Sequence, residues 1–412
     1  MKSLFAAAAL LAASPAFAGE PEGYDVLIEQ ANAAYSAGDW AGMATALDAA
    51  QNYIPYSLHI TRFRILAYSE LGDFEEALAI ARTVAKRGLS LALDGKPGFD
   101  ALRAQPDFAP IAEQMSANLA PAGEADIIET VNRDSLLPES VVHAVIGGKD
   151  RYYVGAVRTG GVYAGKALHA KTNGGVYGLK VVDDLIWTVE NTRAPYAGEG
   201  EGAETSGFHA YDVATGKERC AVPLNGGPAV LGALETTPFG LVASDSLTPR
   251  LVLIEGCDSE PRVILEDPRF ANLQGVAYDP GRKRLYIADY LAGIFSVDLE
   301  TDAAESVVNA ADAHLGGIDG LSFYEGDLIG VQNGTPPQRI VRLHLSEKGD
   351  AVTQLDVLQQ ALPEWNEPTN GTIAGDAFVY VATSNWPAYA EDGSEVEGAQ
   401  RQPLRLISVP LD

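Results

Sequence analysis

The pattern of apolar and polar positions divides the chain into two parts with different secondary structure. Residues 24–118 are rich in Ala and Leu, and their apolar positions recur with helical spacing. From about residue 124 onward, short apolar strands alternate with turns rich in Gly, Pro and Asp. The change predicts a helical domain over residues 19–120 and an all-β domain over residues 121–412, with "APAGEA" as the linker.

The helical part contains two similar segments, "AYSAGDWAGMATAL" at 34–47 and "AYSELGDFEEALAI" at 67–80. Their glycines, Gly38 and Gly72, lie 34 residues apart, which is the period of a tetratricopeptide helix hairpin. The segments resemble that family, and a weaker third helix pair follows at 98–115. With barely two clear repeats, two roles stay open: a packing or spacer domain, and a domain that binds a protein partner. We expect the domain to fold on its own.

The all-β part repeats one unit six times. Each unit opens with a short motif, such as "NLQGVA" or "GIDGLS", and the third residue of the motif occupies the same slot. The six slot residues are Glu139, Tyr177, Gly232, Gln274, Asp319 and Asn370. Four strands in each unit of about forty residues are typical of a β-propeller blade. The repeats therefore predict a six-bladed β-propeller.

The last unit lacks one strand, because only "LRLISVPL" at 404–411 remains after its second strand. The missing outer strand can come from "ADIIETV" at 125–131, ahead of the first unit. That pairing would close the ring with both ends of the domain and leave no open sheet edge.

The slot side chains are expected to meet at one end of the central channel, because the first strand of each blade lines it. Four of them offer oxygen atoms: Glu139, Gln274, Asp319 and Asn370. Two carboxylates without a nearby Lys repel each other, and a bound cation would relieve that repulsion. Oxygen ligands suit Ca²⁺ or Mg²⁺, so these four residues are the predicted metal ligands. A water-filled polar channel without a metal is the alternative.

Other features are predicted to lie near the same end of the channel. Two insertions, at 191–207 and 385–403, follow the second strands of units two and six, so both are expected to overhang Glu139 in blade one. Function often resides in such loops, although a tolerated surface insertion explains them equally well. The candidate contacts for a small-molecule substrate or ligand are Tyr177, Glu190, Asp245 and Asp289.

The motifs "PESVV", "LYIADY" and "IDGLSFYEGDLIGVQNG" resemble the senescence marker protein/gluconolactonase family over about residues 137–412. The resemblance implies a propeller that binds one divalent metal and opens sugar lactones. It implies that Glu139 is a metal ligand, and that Asp319 both binds the metal and acts as the catalytic base. Gln274 replaces the asparagine ligand of the family, and Gly232 falls where a polar residue is usual. A non-catalytic propeller that binds a ligand or a protein is therefore the second hypothesis.

Several other functions find no support in the sequence. There is no HExxH, GxSxG or Walker motif, and "GEGEG" at 198–202 would repel phosphate. The net charge of −27 disfavours nucleic acid and anionic lipid as partners. Five of the six histidines, His314 among them, are scattered along the all-β part without the spacing of metal ligands and are interpreted as structural or surface residues.

The first residues, 1–18, have the features of a secretory signal peptide, with a small-x-small site before the cut at Ala18. We expect a soluble, exported product in a bacterial periplasm, with no membrane insertion. Cys220 and Cys257 are expected on neighbouring outer strands of blades two and three. An oxidising compartment permits a disulfide there, and two free buried thiols are the alternative.

Overall fold

The computed structural model describes residues 23–93, 95–96, 98–197, 204–390 and 392–412. It contains a helical segment followed by six four-stranded sheets arranged as the blades of a propeller, one of them with an extra short strand. The predicted fold class is confirmed. The signal peptide at 1–18 and the acidic run at 198–202 lie outside the described residues.

The described part of the helical segment has six helices: α1 (Tyr24–Ala37), α2 (Trp40–Tyr53), α3 (Leu58–Leu71), α4 (Phe74–Lys86), α5 (Asp100–Arg103) and α6 (Phe108–Ala117). The two repeated segments form the hairpins α1–α2 and α3–α4. Gly38 and Gly72 end the first helix of each hairpin with φ of 69° and 77°, a conformation that glycine adopts without strain. The aspartates that follow them accept a hydrogen bond from the first turn of the next helix. None of the described helices is long and apolar enough to cross a membrane.

Each blade runs from an innermost strand at the channel to an outer strand, except that blade six takes its outer strand from ahead of blade one. Blade one holds β2 (Pro138–Ile146), β3 (Lys149–Ala156), β4 (Val162–Ala164) and β5 (Ala167–Ala170). Blade two holds β6 (Gly175–Val182), β7 (Leu185–Asn191), β8 (Ser206–Asp212) and β9 (Glu218–Pro223). Blade three holds β10 (Leu231–Thr237), β11 (Gly240–Asp245), β12 (Arg250–Ile254) and β13 (Arg262–Glu266).

Blade four holds β14 (Leu273–Asp279), β15 (Arg284–Asp289), β16 (Gly293–Asp298) and β17 (Ala303–Ser306). Blade five holds β19 (Gly320–Tyr324), β20 (Asp327–Gln332), β21 (Arg339–Leu345) and β22 (Ala351–Gln360), with the short β18 (Val308–Asn309) beside β22. Blade six holds β23 (Gly371–Ala374), β24 (Ala377–Val381), β25 (Leu404–Pro410) and β1 (Asp126–Val131).

The ring is closed by β1, as predicted from the missing strand. It pairs antiparallel with β25, from Asp126 opposite Ser408 to Val131 opposite Leu404. Blade six therefore joins a strand that precedes blade one to three strands from the far end of the domain, and β1 covers the outer edge of β25.

The slot residues lie where the innermost strands depart from regular pairing. In blades one to four the ladder between the first two strands is irregular at the slot, for example between Pro138 and Ser140 and between Leu273 and Val276. A β-bulge places an extra residue on one strand and re-aims its side chain. In blades five and six, Asp319 and Asn370 directly precede β19 and β23. These irregularities turn the slot side chains toward the axis.

The helical segment packs on the face of the propeller where the innermost strands begin, here called the top face. The Tyr56 amide donates to the Leu291 carbonyl at 3.1 Å, and the Ser90 amide donates to the Pro336 carbonyl at 2.7 Å. Ala271 and Leu291 pack into the apolar core formed by α1, α2 and α3. A second apolar core lies wholly within the helical segment and is consistent with independent folding. Independent folding itself stays a prediction.

The two cysteines form a disulfide with Cα atoms 5.7 Å apart. Cys220 lies in β9, the outer strand of blade two, as expected. Cys257 lies in the turn between β12 and β13 rather than on the outer strand of blade three. The disulfide therefore links blades two and three as expected, but Cys257 comes before the outer strand of its blade rather than within it.

Candidate functional site

All six slot residues line one cavity of about 420 Å³ at the top face, as the repeats predict. A volume of this size accommodates a small molecule. The other lining residues come mainly from the connections between strands and blades: Val230, Ala233, Ser246, Asn272, Tyr290, Asn333, Glu367 and Trp386. Among these described lining residues there is no Lys, Arg or His. The cavity is therefore small, oxygen-rich and without positive side chains in its described lining.

Glu139 is buried and tied to blade six. Its carboxylate accepts hydrogen bonds from Trp386 Nε1 at 2.5 Å and from Asn370 Nδ2 at 3.3 Å. Its main-chain carbonyl accepts from Thr369 Oγ1 and from the Asn370 amide. These bonds hold both carboxylate oxygens of Glu139 in a fixed orientation beside Asn370.

Asp319 ends a short chain of hydrogen bonds. Asn333 Nδ2 donates to Asp319 Oδ2 at 2.7 Å, and the Tyr290 hydroxyl donates to Asn333 Oδ1 at 2.9 Å. Tyr290 precedes Leu291, whose carbonyl accepts from Tyr56 of the helical segment. The orientation of Asp319 thus depends on a blade-four loop that the helices hold in place.

A third carboxylate, Glu367, lines the same cavity and was not among the predicted site residues. It lies in the connection between blades five and six, with a φ of 59°. For a residue other than glycine this backbone conformation is strained, and such strain is often found at functional sites. The only sequence signal is its place in "NEPTNG", just before the Asn370 slot.

Burial raises the pKa values of all three carboxylic acids, and the charge of Asp319 raises those of Glu139 and Glu367 further. Burial raises the pKa of Asp319 to about 6. Burial, with the charge of Asp319 second, raises the pKa of Glu367 to about 7. The same two causes hold the pKa of Glu139 well above its usual range. A cation in the cavity would offset this repulsion, so the electrostatics of the site fit a bound cation.

The arrangement of the acidic side chains limits how a cation could be bound in the cavity. Among the described residues, no group of three or more His, Cys, Asp or Glu side chains is arranged to hold a metal ion. A metal here would need the amide oxygens of Asn370 or Gln274 together with water, which Ca²⁺ accepts. Gln274 Nε2 donates to Asn272 Oδ1 at 2.6 Å, which leaves its carbonyl oxygen available.

The cavity is poor in ligands at the blade-three slot, and aromatic rings line it beside the carboxylates. Gly232 offers no side chain there, and the Tyr177 ring lies 6.4 Å from the Trp386 ring. Burial raises the pKa values of Tyr177 and Tyr290, so both hydroxyls stay protonated. These rings form an apolar wall beside the carboxylates.

Three predicted substrate contacts do not line this cavity. Asp245 accepts from the amides of Val230, Leu247 and Thr248 and bonds to Arg250. Asp289 accepts from four main-chain amides, those of Ala271, Asn272, Leu291 and Ala292. Glu190 accepts from Thr188, Tyr211 and the Asn173 amide. We therefore reassign Glu190, Asp245 and Asp289 as anchors of loops, and only Tyr177 keeps its predicted place.

The described parts of the two insertions meet above blade one, as expected. Arg158 Nη1 donates to the Gly393 carbonyl of the blade-six insertion at 2.8 Å and to the Pro195 carbonyl of the blade-two insertion at 3.3 Å. Its guanidinium lies 4.4 Å from the centre of the Tyr389 ring. The blade-six insertion also supplies Trp386, so it contributes a wall of the cavity rather than a surface loop alone.

The raised pKa values predict an unusual pH dependence of stability. Folded Asp319 and Glu367 keep their protons up to about pH 6 and 7, whereas the unfolded chain loses them near pH 4. In this range the folded state binds more protons, so the free energy of unfolding falls as the pH rises from about 4 to 7. Melting temperatures in chelator should fall accordingly, and Glu367→Gln should flatten the profile. A profile that rises over this range would contradict the assigned burial.

Comparisons with known proteins show similarity in fold only. No protein-family model matches the chain, and no curated protein matches it. Three solved structures illustrate the extent of the similarity. The PQQ-bound aldose sugar dehydrogenase of Streptomyces coelicolor is 14% identical at a TM-score of 0.45, over 71% of this chain and 99% of that one.

A putative oxidoreductase (glucose dehydrogenase) of Thermus thermophilus is 16% identical at a TM-score of 0.42, over 69% of this chain and 100% of that one. A nidogen/laminin complex is 16% identical at a TM-score of 0.42, over 65% of this chain and 95% of that one. At these values the similarity carries no argument about activity, and the resemblance to gluconolactonases rests on the sequence motifs.

Proposed function

We propose that the protein hydrolyses a small lactone or a related ester in the top-face cavity, with a divalent cation, Ca²⁺ in the first instance. One observation carries the proposal. Glu139, Asp319 and Glu367 converge on a cavity of small-molecule size whose described lining offers no positive side chain. Such a site gains stability from a cation and keeps carboxylates available for proton transfer.

The oxygen atoms of Glu139, Asp319, Asn370 and Gln274 are the ligands that would hold the cation. When bound, a divalent cation polarises a carbonyl and lowers the pKa of water. The ligand-poor side at Gly232 leaves space for the substrate. The aromatic wall of Tyr177, Tyr290 and Trp386 would pack against its apolar face.

Asp319 is the proposed base. With a pKa of about 6 it is mostly ionised at neutral pH, and Asn333 holds its Oδ2 so that Oδ1 can accept a proton from water. The water oxygen adds to the lactone carbonyl, and the ring C–O bond then breaks. Glu367, whose pKa burial and the charge of Asp319 raise to about 7 in the cation-free site, is the proposed acid that gives a proton to the departing alcohol oxygen.

A non-catalytic binding protein is the second candidate. Two observations favour it: the third-blade slot is Gly232, and Glu139 already has hydrogen bonds to both of its carboxylate oxygens. In that case the cavity would bind a small ligand without turnover.

Calorimetric titration with Ca²⁺ and a panel of lactones assayed by acid release test the proposal. Wild-type protein should bind Ca²⁺ at or below millimolar concentration and hydrolyse at least one lactone. The matched control is Asp376→Asn, because Asp376 is an exposed acid in the turn between β23 and β24, outside the cavity. If wild-type protein takes up no divalent ion at millimolar concentration, the binding-protein candidate replaces this proposal.

Gln274→Asn restores the residue type of the family at the fourth slot and should keep or tighten Ca²⁺ binding. The shorter side chain removes the contact with Asn272 but still offers a carbonyl oxygen. Titration of the variant beside wild type measures the change. A tenfold loss of affinity would contradict this expectation and show that Gln274 binds the cation through its longer side chain.

A further inference from the structure

A second cavity lies between the helical segment and the propeller, and the proposed hydrolysis does not use it. Its volume is about 270 Å³. Residues of α2, α3 and α4 form most of it, and His314 from the connection before blade five completes it. We name it the junction cleft. It is lined by Gln51, Pro55, Leu58, Thr61, Arg64, Glu76, Ala79, Ile80, Thr83, Val84, Arg87, Leu89 and His314.

His314 is the most unusual side chain of the junction cleft. It is 4% exposed, and its ring lies edge-on to the ring of Tyr56. The ring lines the cleft, and the structure gives no hydrogen bond between a described side chain and either ring nitrogen. An imidazole that lines a cavity in this way can form a hydrogen bond with a ligand bound there.

The surroundings of His314 are positive, in contrast to the net charge of −27 for the whole chain. Arg339 is 1% exposed, and its contacts in the described structure are to neutral oxygens, those of the Gln332 side chain and the Arg87 carbonyl. Burial, together with the charges of Arg339 and Arg87, lowers the pKa of His314 to about 3. No acidic side chain among the described residues is paired with Arg339, so its charge is compensated poorly and attracts an anion.

Arg87 and Arg64 bring further positive charge to the junction cleft. Arg87 donates to Asp312 through Nε and Nη2, which leaves Nη1 free among the described contacts. Arg64 donates to Asp48 through Nε, which leaves its two terminal nitrogens available as far as the structure describes. The Asp312 side chain is 82% exposed, so solvent screens its pairing with Arg87.

The remaining lining selects the kind of anion. Leu58, Ile80, Val84 and Leu89 are apolar, and Glu76 is the one acid in the described lining of the cleft. A doubly charged phosphate would be repelled by Glu76 and would lose water to these apolar side chains. A single carboxylate on a short apolar chain would match both surfaces.

We propose that the junction cleft binds a small organic monocarboxylate, whose carboxylate accepts hydrogen bonds from Arg87 and the His314 ring while its apolar chain packs on α3 and α4. The site joins the helical segment to the propeller, so its ligand would strengthen the attachment between them. This assigns the helical segment a ligand-binding role that does not depend on the top-face cavity.

Titration of the whole protein with butyrate tests the proposal, with butyramide as the uncharged analogue of the same shape. Butyrate should bind saturably at millimolar concentration and raise the melting temperature, whereas butyramide and inorganic phosphate should bind at least tenfold more weakly. Arg87→Gln and His314→Gln should each weaken butyrate binding at least tenfold. Arg82→Gln, on the same helix but outside the cleft lining, and Asp319→Asn, in the other cavity, should leave it unchanged.

A second variant keeps the test decisive if Arg87→Gln disturbs the attachment to Asp312. Ala79→Leu fills the junction cleft from α4 without removing a polar group, and it should abolish butyrate binding in a folded protein. The proposal is overturned if butyrate fails to bind wild-type protein at millimolar concentration. It is equally overturned if butyrate binds Ala79→Leu as tightly as wild type, or if butyramide binds as well as butyrate.

Discussion

Replacing Asp319 with asparagine is expected to lower the rate of lactone hydrolysis by roughly a hundredfold or more, because the variant loses the proposed base. Asparagine has nearly the same shape and can still accept the hydrogen bond from Asn333 through its Oδ1. Ca²⁺ affinity should fall as well, since one charged ligand is lost. Acid release from the best lactone and calorimetric titration measure the two effects separately.

The same variant should be more stable than wild type in chelator near neutral pH. Burial disfavours the charged form of Asp319, and asparagine removes that charge together with its repulsion of Glu139 and Glu367. A higher melting temperature with lost activity would indicate a residue kept for function rather than for folding. Unchanged hydrolysis in Asp319→Asn would contradict the assignment of the base.

Removing the disulfide by the double change Cys220→Ser and Cys257→Ser is expected to lower the free energy of unfolding by about 2–4 kcal/mol. The bond closes a separation of 37 residues and therefore restricts the unfolded chain. Both cysteines also pack against the apolar core between blades two and three, where serine is less favourable. Equilibrium unfolding in urea measures the difference.

The control for the disulfide is wild-type protein in a strong reductant, which should approach the stability of the double variant. The double variant itself should not respond to the reductant. If reduction changes the unfolding midpoint of wild type by less than the error of the measurement, the disulfide contributes nothing to stability. Lactone hydrolysis should be unaffected, because neither cysteine lines the top-face cavity.

The six-bladed ring could be predicted because the same sequence pattern occurs six times. Each blade reuses the same order of strands and turns, so the slot could be located even in blade three, where Gly232 has no side chain. The closing strand β1 was predictable by elimination, since blade six lacked one strand. The Gly-Asp-aromatic motifs lie where α1 and α3 end and where α2 and α4 begin.

Only the part of the cavity that the repeated slot positions form could be predicted from the sequence. The slots gave the six residues on or directly before the innermost strands, but Asn333, Glu367 and Trp386 lie in irregular connections that differ from blade to blade. Their position depends on contacts between blades, such as the bond from Trp386 to Glu139. No local pattern in the sequence marks such a contact.

The position of Asp245 and Asp289 outside the cavity lining has a local explanation. Each carboxylate accepts hydrogen bonds from the amides two and three residues further along the chain, at Leu247 and Thr248 and at Leu291 and Ala292. This is the ordinary turn-forming behaviour of aspartate at the end of a strand. An acid followed by a turn should therefore be assigned to the turn before it is assigned to a ligand.

The closing of the ring by β1 has a consequence for the order of events during synthesis. The strand is made before any blade, yet its partner β25 is made after every other described strand. Until then, blade six cannot be completed, and β1 has no edge to join. The helical segment, whose contacts are mostly local, can form much earlier, while the pairing of Asp126 with Ser408 must wait for the whole domain. A circularly permuted chain that places β1 directly after β25 would turn this late, distant contact into an early, local one and should fold faster at similar stability.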